Sequence, residues 1–369
     1  MSCDFLSLAL PGVQKLSPYV PGKPVEELAR EFGLKPEDIV KLASNENPLG
    51  PAPSVLKAVQ QALPELTRYP DGNGFTLKQA LSERFGFELS MITLGNGSND
   101  ILELLGRAFA SPGTEVVFSE HAFAVYPIVT QAVGATPVQV PARNWGHDLE
   151  AMAAAITPAT RLVFIANPNN PTGTWFEQAE FEAFMARVPA NVLVVLDEAY
   201  TEYVVADDAL NGFDHIARCP NLIVCRTLSK AYGLAALRVG YCISHPQVAD
   251  VLNRVRQPFN VNSLALAAAV AALADQAYLD ESRKLNQQGM RQLEAGLTRL
   301  GLEWIPSRGN FIAVDVGQDA APVYQGLLQA GVIVRPVAGY GMPHHLRVSV
   351  GLEHENQRFL EALAGVLGR

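Results

Sequence analysis

The sequence predicts an α/β protein with a large, mostly parallel sheet and a smaller α+β unit, and three observations carry that expectation. Short apolar runs alternate with helical segments through the middle of the chain, the order of a parallel sheet crossed over by helices. Some runs are apolar at nearly every position, as Val192 to Leu196 is, which suits strands covered on both faces. Beyond a long helical stretch that starts near Ser263, the rhythm changes to short strands at 311–314, 332–336 and 346–350.

The elements follow in order. Pro11, Pro18, Pro21 and Pro24 keep the first segment extended, because proline fixes φ and restrains the residue before it. Residues 25–32 read as a helix, and so do 53–63, where Pro51 and Pro53 mark the start. Strands are expected at 115–119, 136–140, 162–166, 192–196, 222–226 and 239–244. Helices are expected at 100–109, 126–133, 149–156, 178–187 and 246–255, then as one long stretch from 263 to about 300. The resulting division is an N-terminal arm and small-domain segment (1–45), a large α/β domain (46–275) and a small C-terminal α+β domain (276–369).

Bulk properties exclude some functions. The net charge is −9 and there is no long Lys/Arg run, so no nucleic-acid partner is expected. Anionic ligands must be captured locally. The longest apolar stretch, 264–274, is too short to span a bilayer, so no membrane association is expected. Cys3, Cys219, Cys225 and Cys242 form no C-x-x-C pair and no zinc spacing with histidine. No metal is expected, and few cysteines without a secretory leader point to the cytoplasm.

In open α/β sheets ligands bind beyond the carboxyl ends of the strands. Three predicted strands run into polar segments there. One leads to Asn167-Pro168-Asn169-Asn170-Pro171-Thr172-Gly173, one to Asp197-Glu198-Ala199-Tyr200, and one to Thr227-Leu228-Ser229-Lys230. An aspartate ending an apolar strand is costly without a cationic partner. A protonated pyridine nitrogen is such a partner for Asp197, and capping the next turn is the alternative. The run 192–198 also has the form of a Walker B strand. The chain's Gly22-Lys23 pair is followed by Pro24 and lacks the upstream glycine of a Walker A loop, which excludes a P-loop ATPase. Lys230, partly buried beside cations, would have its pKa lowered and could offer a neutral amine for imine and proton-transfer chemistry. Thr227-x-x-Lys230 has the spacing of the serine acyl-enzyme motif, but threonine replaces the nucleophile and its partner motifs are absent. Gly95-Asn96-Gly97-Ser98-Asn99-Asp100 opens a helix, where backbone amides suit an anion. A plain Asn/Gly turn is the alternative. Thr227, Ser229 and Arg238 could add donors to the same anion.

Together these motifs resemble fold type I of the pyridoxal 5′-phosphate (PLP) enzymes, the aspartate-aminotransferase superfamily. Asp197 precedes Lys230 by 33 residues, and Arg238 follows Lys230 by eight. Within it, the chain looks most like the histidinol-phosphate aminotransferases. That likeness is carried by Leu16-Ser17-Pro18-Tyr19, by the stretch from Ser44 to Pro51, by Arg68-Tyr69-Pro70-Asp71, by Val334-Arg335, and by the stretch from Leu346 to Gly351.

The resemblance implies the fold type I PLP-transferase fold, PLP as cofactor and a homodimer. It implies that Lys230 holds PLP, Asp197 pairs with the ring nitrogen, and Tyr200 and Asn170 contact the phenolic oxygen. Ser98, Asn99, Thr227, Ser229 and Arg238 would hold the phosphate, with Tyr69 reaching the phosphate of the neighbouring subunit. Phe123 takes the place of the family's usual stacking tyrosine, and Tyr126 reads as a core aromatic. Arg347 would bind the substrate anion, with Arg335, Tyr19 and Asn170 assisting. A surface position is the alternative for Arg335. The implied activity is amino transfer from L-histidinol phosphate to 2-oxoglutarate, giving imidazole-acetol phosphate and L-glutamate, in histidine biosynthesis. Anionic amino donors and 2-oxo acids are its partners. An aromatic-amino-acid aminotransferase, a threonine-phosphate decarboxylase and a non-catalytic binding protein on the same fold are the alternatives.

Overall fold

The computed structural model describes residues 3–19, 21–205 and 209–369. Its strands, in chain order, are β1 (Val40–Lys41), β2 (Ile92–Gly95), β3 (Glu115–Ser119), β4 (Thr136–Val140), β5 (Thr160–Ala166), β6 (Leu193–Asp197), β7 (Leu222–Thr227), β8 (Gly240–Ile243), β9 (Glu303–Ile305), β10 (Phe311–Asp315), β11 (Val332–Ile333), β12 (Arg335–Pro336) and β13 (His345–Ser349). Seven of them form one sheet in the order β2-β8-β7-β6-β5-β3-β4. The β3–β4, β3–β5, β5–β6 and β6–β7 pairings are parallel. Strand β8 alone runs against its neighbours β2 and β7.

The apolar runs have the two-sided burial that their composition suggested. Alternate side chains of a strand point to opposite faces. Val163, Ile165, Val194, Leu196 and Val224 enter one core, while Leu162, Phe164, Val195, Ile223 and Cys225 enter another across the sheet. The Ala-rich helix Ser263–Ala274 packs its buried Ala265, Ala268, Ala269 and Ala272 into the first of these. Among the described residues no helix is long and apolar enough to cross a membrane.

The antiparallel sheet β12-β13-β10-β9 has its own core, which includes Ile312, Val314, Leu346 and Val348. Strand β1 pairs in parallel with β11, and Leu42 joins this smaller core. Helix Gln276–Arg299 serves both: Tyr278 and Leu279 belong to the large core, and Met290, Leu293 and Leu297 to the small one.

Several features differ from the sequence expectation. The stretch from 263 is two helices, broken at Asp275, whose carboxylate accepts from the Tyr278 amide at 3.1 Å and from the Ser54 hydroxyl at 2.5 Å. Helices Phe75–Phe85, Ala320–Gln329 and Glu353–Leu367 and strands β1 and β9 were not foreseen. The run 332–336 is two strands, because β11 pairs with β1 and β12 with β13. Helix Ser98–Phe109 begins two residues earlier than expected, since Gly97 turns the chain at φ +79°, a conformation glycine adopts freely.

The ends of β6 and β7 are clasped by a buried ion pair. Glu198 Oε2 accepts from Arg226 Nε at 2.8 Å and Nη2 at 2.7 Å, and Glu198 Oε1 accepts from the Gly212 amide at 2.6 Å. The guanidinium lies 3.7 Å from the centre of the Phe213 ring. Glu198→Ala strands this cation in the core. The expected loss is about 3–5 kcal/mol in urea unfolding of the cofactor-free protein, and a loss near zero would show that the clasp carries no stability.

Candidate active site

The C-terminal ends of β5, β6 and β7 lie side by side, so the segments that follow them share one edge of the sheet. Antiparallel β8 starts at that edge, with Gly240 opposite both Gly95 and Thr227. Its orientation is what brings Arg238 to the start of helix Ser98–Phe109. A Cβ on Gly240 would fall 2.5 Å from the Ser98 nitrogen, so only glycine allows this approach. The small sheet closes the opposite wall. Together they enclose a cleft of about 860 Å³ including its mouth.

Asp197 lies on the floor and is 5% exposed. Its Oδ2 accepts the Tyr126 hydroxyl at 2.9 Å, while Oδ1 is buried with no hydrogen-bond partner among the described residues. Burial pushes its carboxyl up to about 6, against the pull of Tyr126 and the Ala199 amide. Lys230 is part-buried and donates from Nζ to the Ser44 carbonyl at 2.9 Å. Burial, with help from Arg347 and Arg238, lowers its pKa to about 8. Tyr200 accepts the Asn45 side-chain amide at 2.9 Å, and burial raises its phenol to about 12.

Donors gather at the end where β2, β7 and β8 meet. Ser98 and Asn99 begin the helix Ser98–Phe109 and line the cleft with Thr227, Ser229 and Arg238. The first amides of a helix have no partner within it, and the helix dipole favours an anion there. The Ser229 amide donates to Thr227 Oγ1 at 3.1 Å, which tightens the turn. Phe123 lines the cleft and meets Tyr126 edge to face at 5.9 Å.

At the other end, Arg335 and Arg347 sit opposite each other on β12 and β13. Both are buried, which removes the surface alternative for Arg335. Arg347 donates to Asn170 Oδ1 at 2.5 Å and to the Ala43 carbonyl at 2.6 Å, and its Nε has no hydrogen-bond partner among the described residues. The Arg335 guanidinium is 5.2 Å from the Tyr19 ring, which is half exposed at the cleft. Of the residues singled out from sequence, Tyr69 alone lies outside the cleft. It is 84% exposed and stacks on Phe259 at 4.7 Å.

The set suits a small aromatic acid–base cofactor. A buried acceptor awaits a cationic ring nitrogen, a neutral-prone amine faces the same space, and a helix start with hydroxyls and a guanidinium suits a phosphate. Two arginines remain for a second anion. The sequence pattern of the family described as aminotransferase class I and II matches residues 37–363. The chain belongs to that family.

Among class I and II aminotransferases it is 69% identical to histidinol-phosphate aminotransferase 2 of Pseudomonas fluorescens, over 100% of both chains. It is also 69% identical to histidinol-phosphate aminotransferase 2 of Pseudomonas aeruginosa, over 99% of each. The crystal structure of histidinol-phosphate aminotransferase from Sinorhizobium meliloti, in complex with pyridoxal-5′-phosphate, superposes with a TM-score of 0.88 at 34% identity and covers 97% of each chain. The fold is therefore fold type I of the PLP enzymes, as the motifs implied.

Sequence reading missed two contributors. Tyr126 was taken for a core aromatic. It is fully buried, but its hydroxyl is spent on Asp197, and the one available signal was that a buried tyrosine needs a hydrogen-bond partner. Asn45 was read only as part of the stretch from Ser44 to Pro51 that carries the family likeness, with no role of its own. Its side chain crosses from the loop to Tyr200.

The lowered Lys230 pKa gives a direct test. In the cofactor-free protein, the rate at which a small acylating reagent modifies Lys230 should rise with a midpoint near pH 8, below the value of ~10.4 for an exposed lysine. Peptide mapping of the modified protein reads this rate, and a midpoint at the ordinary lysine value would contradict the buried, cation-flanked setting.

Proposed function

We propose that this chain is a PLP-dependent transaminase that converts L-histidinol phosphate and 2-oxoglutarate into imidazole-acetol phosphate and L-glutamate, in histidine biosynthesis. The observation that carries the cofactor reading is the unpartnered Oδ1 of buried Asp197 in the same cleft as Lys230. The substrate reading is supported by full-length relatives named for that substrate at 69% identity.

When bound, PLP supplies the electron sink and the carbon that carries the amino group between substrates. Asp197 holds a proton on the ring nitrogen. Asn170 and Tyr200 would give hydrogen bonds to the phenolic oxygen, and Phe123 would supply an aromatic face for the ring. Ser98, Asn99, Thr227, Ser229 and Arg238 hold the phosphate. Lys230 moves the proton at the substrate's Cα, a task suited to an amine whose pKa lies close to neutral. Arg347, with Arg335 and Tyr19, grips the far anion. A guanidinium fork fits both the phosphate of histidinol phosphate and the carboxylate of glutamate, so one pocket can serve both half-reactions.

The reading includes a cytoplasmic homodimer in which Tyr69 completes the partner's phosphate site. Its support is the outward placement of Tyr69 and Phe259. Four free cysteines suit a reducing compartment. The chain then divides at 46–275 and 276–369, with 1–45 joining the small unit through β1 and Leu42.

Purified holoenzyme should show a visible cofactor band that Lys230→Ala abolishes, and an unchanged spectrum would refute the assignment. In single-turnover experiments histidinol phosphate should bleach that band faster than phenylalanine or threonine phosphate. Fast turnover of phenylalanine with none of histidinol phosphate would make the enzyme an aromatic aminotransferase. Release of carbon dioxide from threonine phosphate would make it a decarboxylase. Arg347→Ala should lower kcat/KM for histidinol phosphate and for glutamate by about 100-fold or more, the scale expected when one partner of a buried charge pair is lost. A loss confined to one substrate would mean that the two anions use different sites.

A further inference from the structure

Asn45 is 1% exposed and holds φ at +55°. Its backbone amide donates to Ser349 Oγ at 2.8 Å, and Ser349 Oγ donates back to Asn45 Oδ1 at 3.0 Å. The Asn310 side-chain amide donates to the Asn45 carbonyl at 3.0 Å. The remaining group, Nδ2, faces the Tyr200 hydroxyl oxygen at 2.9 Å. Every polar group of this residue is committed, and three of the four bonds go to the small sheet and the loop before it.

We propose that Asn45 is a positioning residue for amino transfer: by donating to the Tyr200 oxygen, it leaves the Tyr200 proton free to be given into the cleft, to the cofactor's phenolic oxygen. The inference rests on the PLP reading of the cleft and adds to it a determinant of the Tyr200 proton's direction. The logic is one of donor polarity. An amide NH₂ can only donate. Ser349 occupies Oδ1, so the NH₂ is what meets Tyr200. The phenol oxygen is therefore the acceptor in that bond, and its own hydrogen points elsewhere. A hydroxyl that accepts a hydrogen bond also becomes a stronger donor, and the Asn45 bond does favour ionisation of this phenol.

The residue type follows from the same geometry. A left-handed backbone is tolerated by glycine, asparagine and aspartate. Glycine has no amide to offer. Aspartate would offer only an acceptor, and the Tyr200 proton would turn to it. Asparagine is the one residue that satisfies both the backbone and the polarity. Ser349, which sets the amide's orientation, lies two residues beyond Arg347 on β13, so the positioning of Tyr200 is fastened to the strand that carries the substrate-anion arginine.

The test is a pH titration of the visible band of holoenzyme. A donor into the cleft favours the deprotonated form of the bound cofactor, so weakening it raises the midpoint. Asn45→Ala should raise the midpoint by about one pH unit, a tenfold change in the equilibrium. Asn45→Asp should raise it at least as much. Asn45→Gly keeps the backbone conformation and should match Asn45→Ala, which serves if the alanine variant does not fold. In a Tyr200→Phe background, Asn45→Ala should add no further shift. An unchanged midpoint in Asn45→Gly and Asn45→Asp, or a shift that simply adds to that of Tyr200→Phe, would overturn the proposal. Absence of any visible band in the wild-type holoenzyme would instead defeat the PLP reading on which it stands.

Discussion

A carboxylate at the end of a buried strand is the constraint around which this molecule is arranged. Asp197 is almost fully buried, and a lone charge there is expensive. Tyr126 relieves one oxygen, and among the described residues no hydrogen-bond partner reaches the other. That imbalance suits a protein that binds something cationic above the sheet. The rest of the cleft follows: an amine and a guanidinium whose charges bear on the same space, and hydroxyls clustered where a helix begins. The clasp between Glu198 and Arg226 keeps the floor from shifting, since it joins the two strands that deliver Asp197 and Lys230.

The cleft is also where the two cores meet, and the hydrogen bonds across it are few and specific. Arg347 reaches Asn170, Ser349 reaches Asn45, and Asn45 reaches Tyr200. These bonds join the strand that would hold the substrate to the residues that would hold the cofactor. A bond between buried polar groups is worth roughly 1 kcal/mol net, but leaving one partner unpaired costs more than that. The chain is thereby held to one register between the units.

Much of this was legible in the sequence because the deciding signals are local. Continuous apolar runs such as 192–196 announce strands buried on both faces, and the polar tetrads after them announce what the sheet edge carries. The direction of β8 was not legible, because a four-residue strand has the same side-chain alternation either way. The break at Asp275 was missed because Ala-rich and polar helical periods run on through it, although Asp275 itself caps the second helix; the Ser54 hydroxyl that holds its carboxylate comes from more than two hundred residues away. Tyr126 and Asn45 were missed for a related reason. Each looks ordinary in its own segment, and only the fold pairs it with Asp197 or Tyr200.

Helix Gln276–Arg299 spans 24 residues, about 36 Å at the usual rise per residue. Its first turns complete one hydrophobic interior and its later turns complete the other. Both interiors include side chains of this rod, so one element is common to the two halves of the molecule. The rod acts as a common keel: loosening its first turns exposes apolar surface in the large interior, and loosening its later turns does so in the small one.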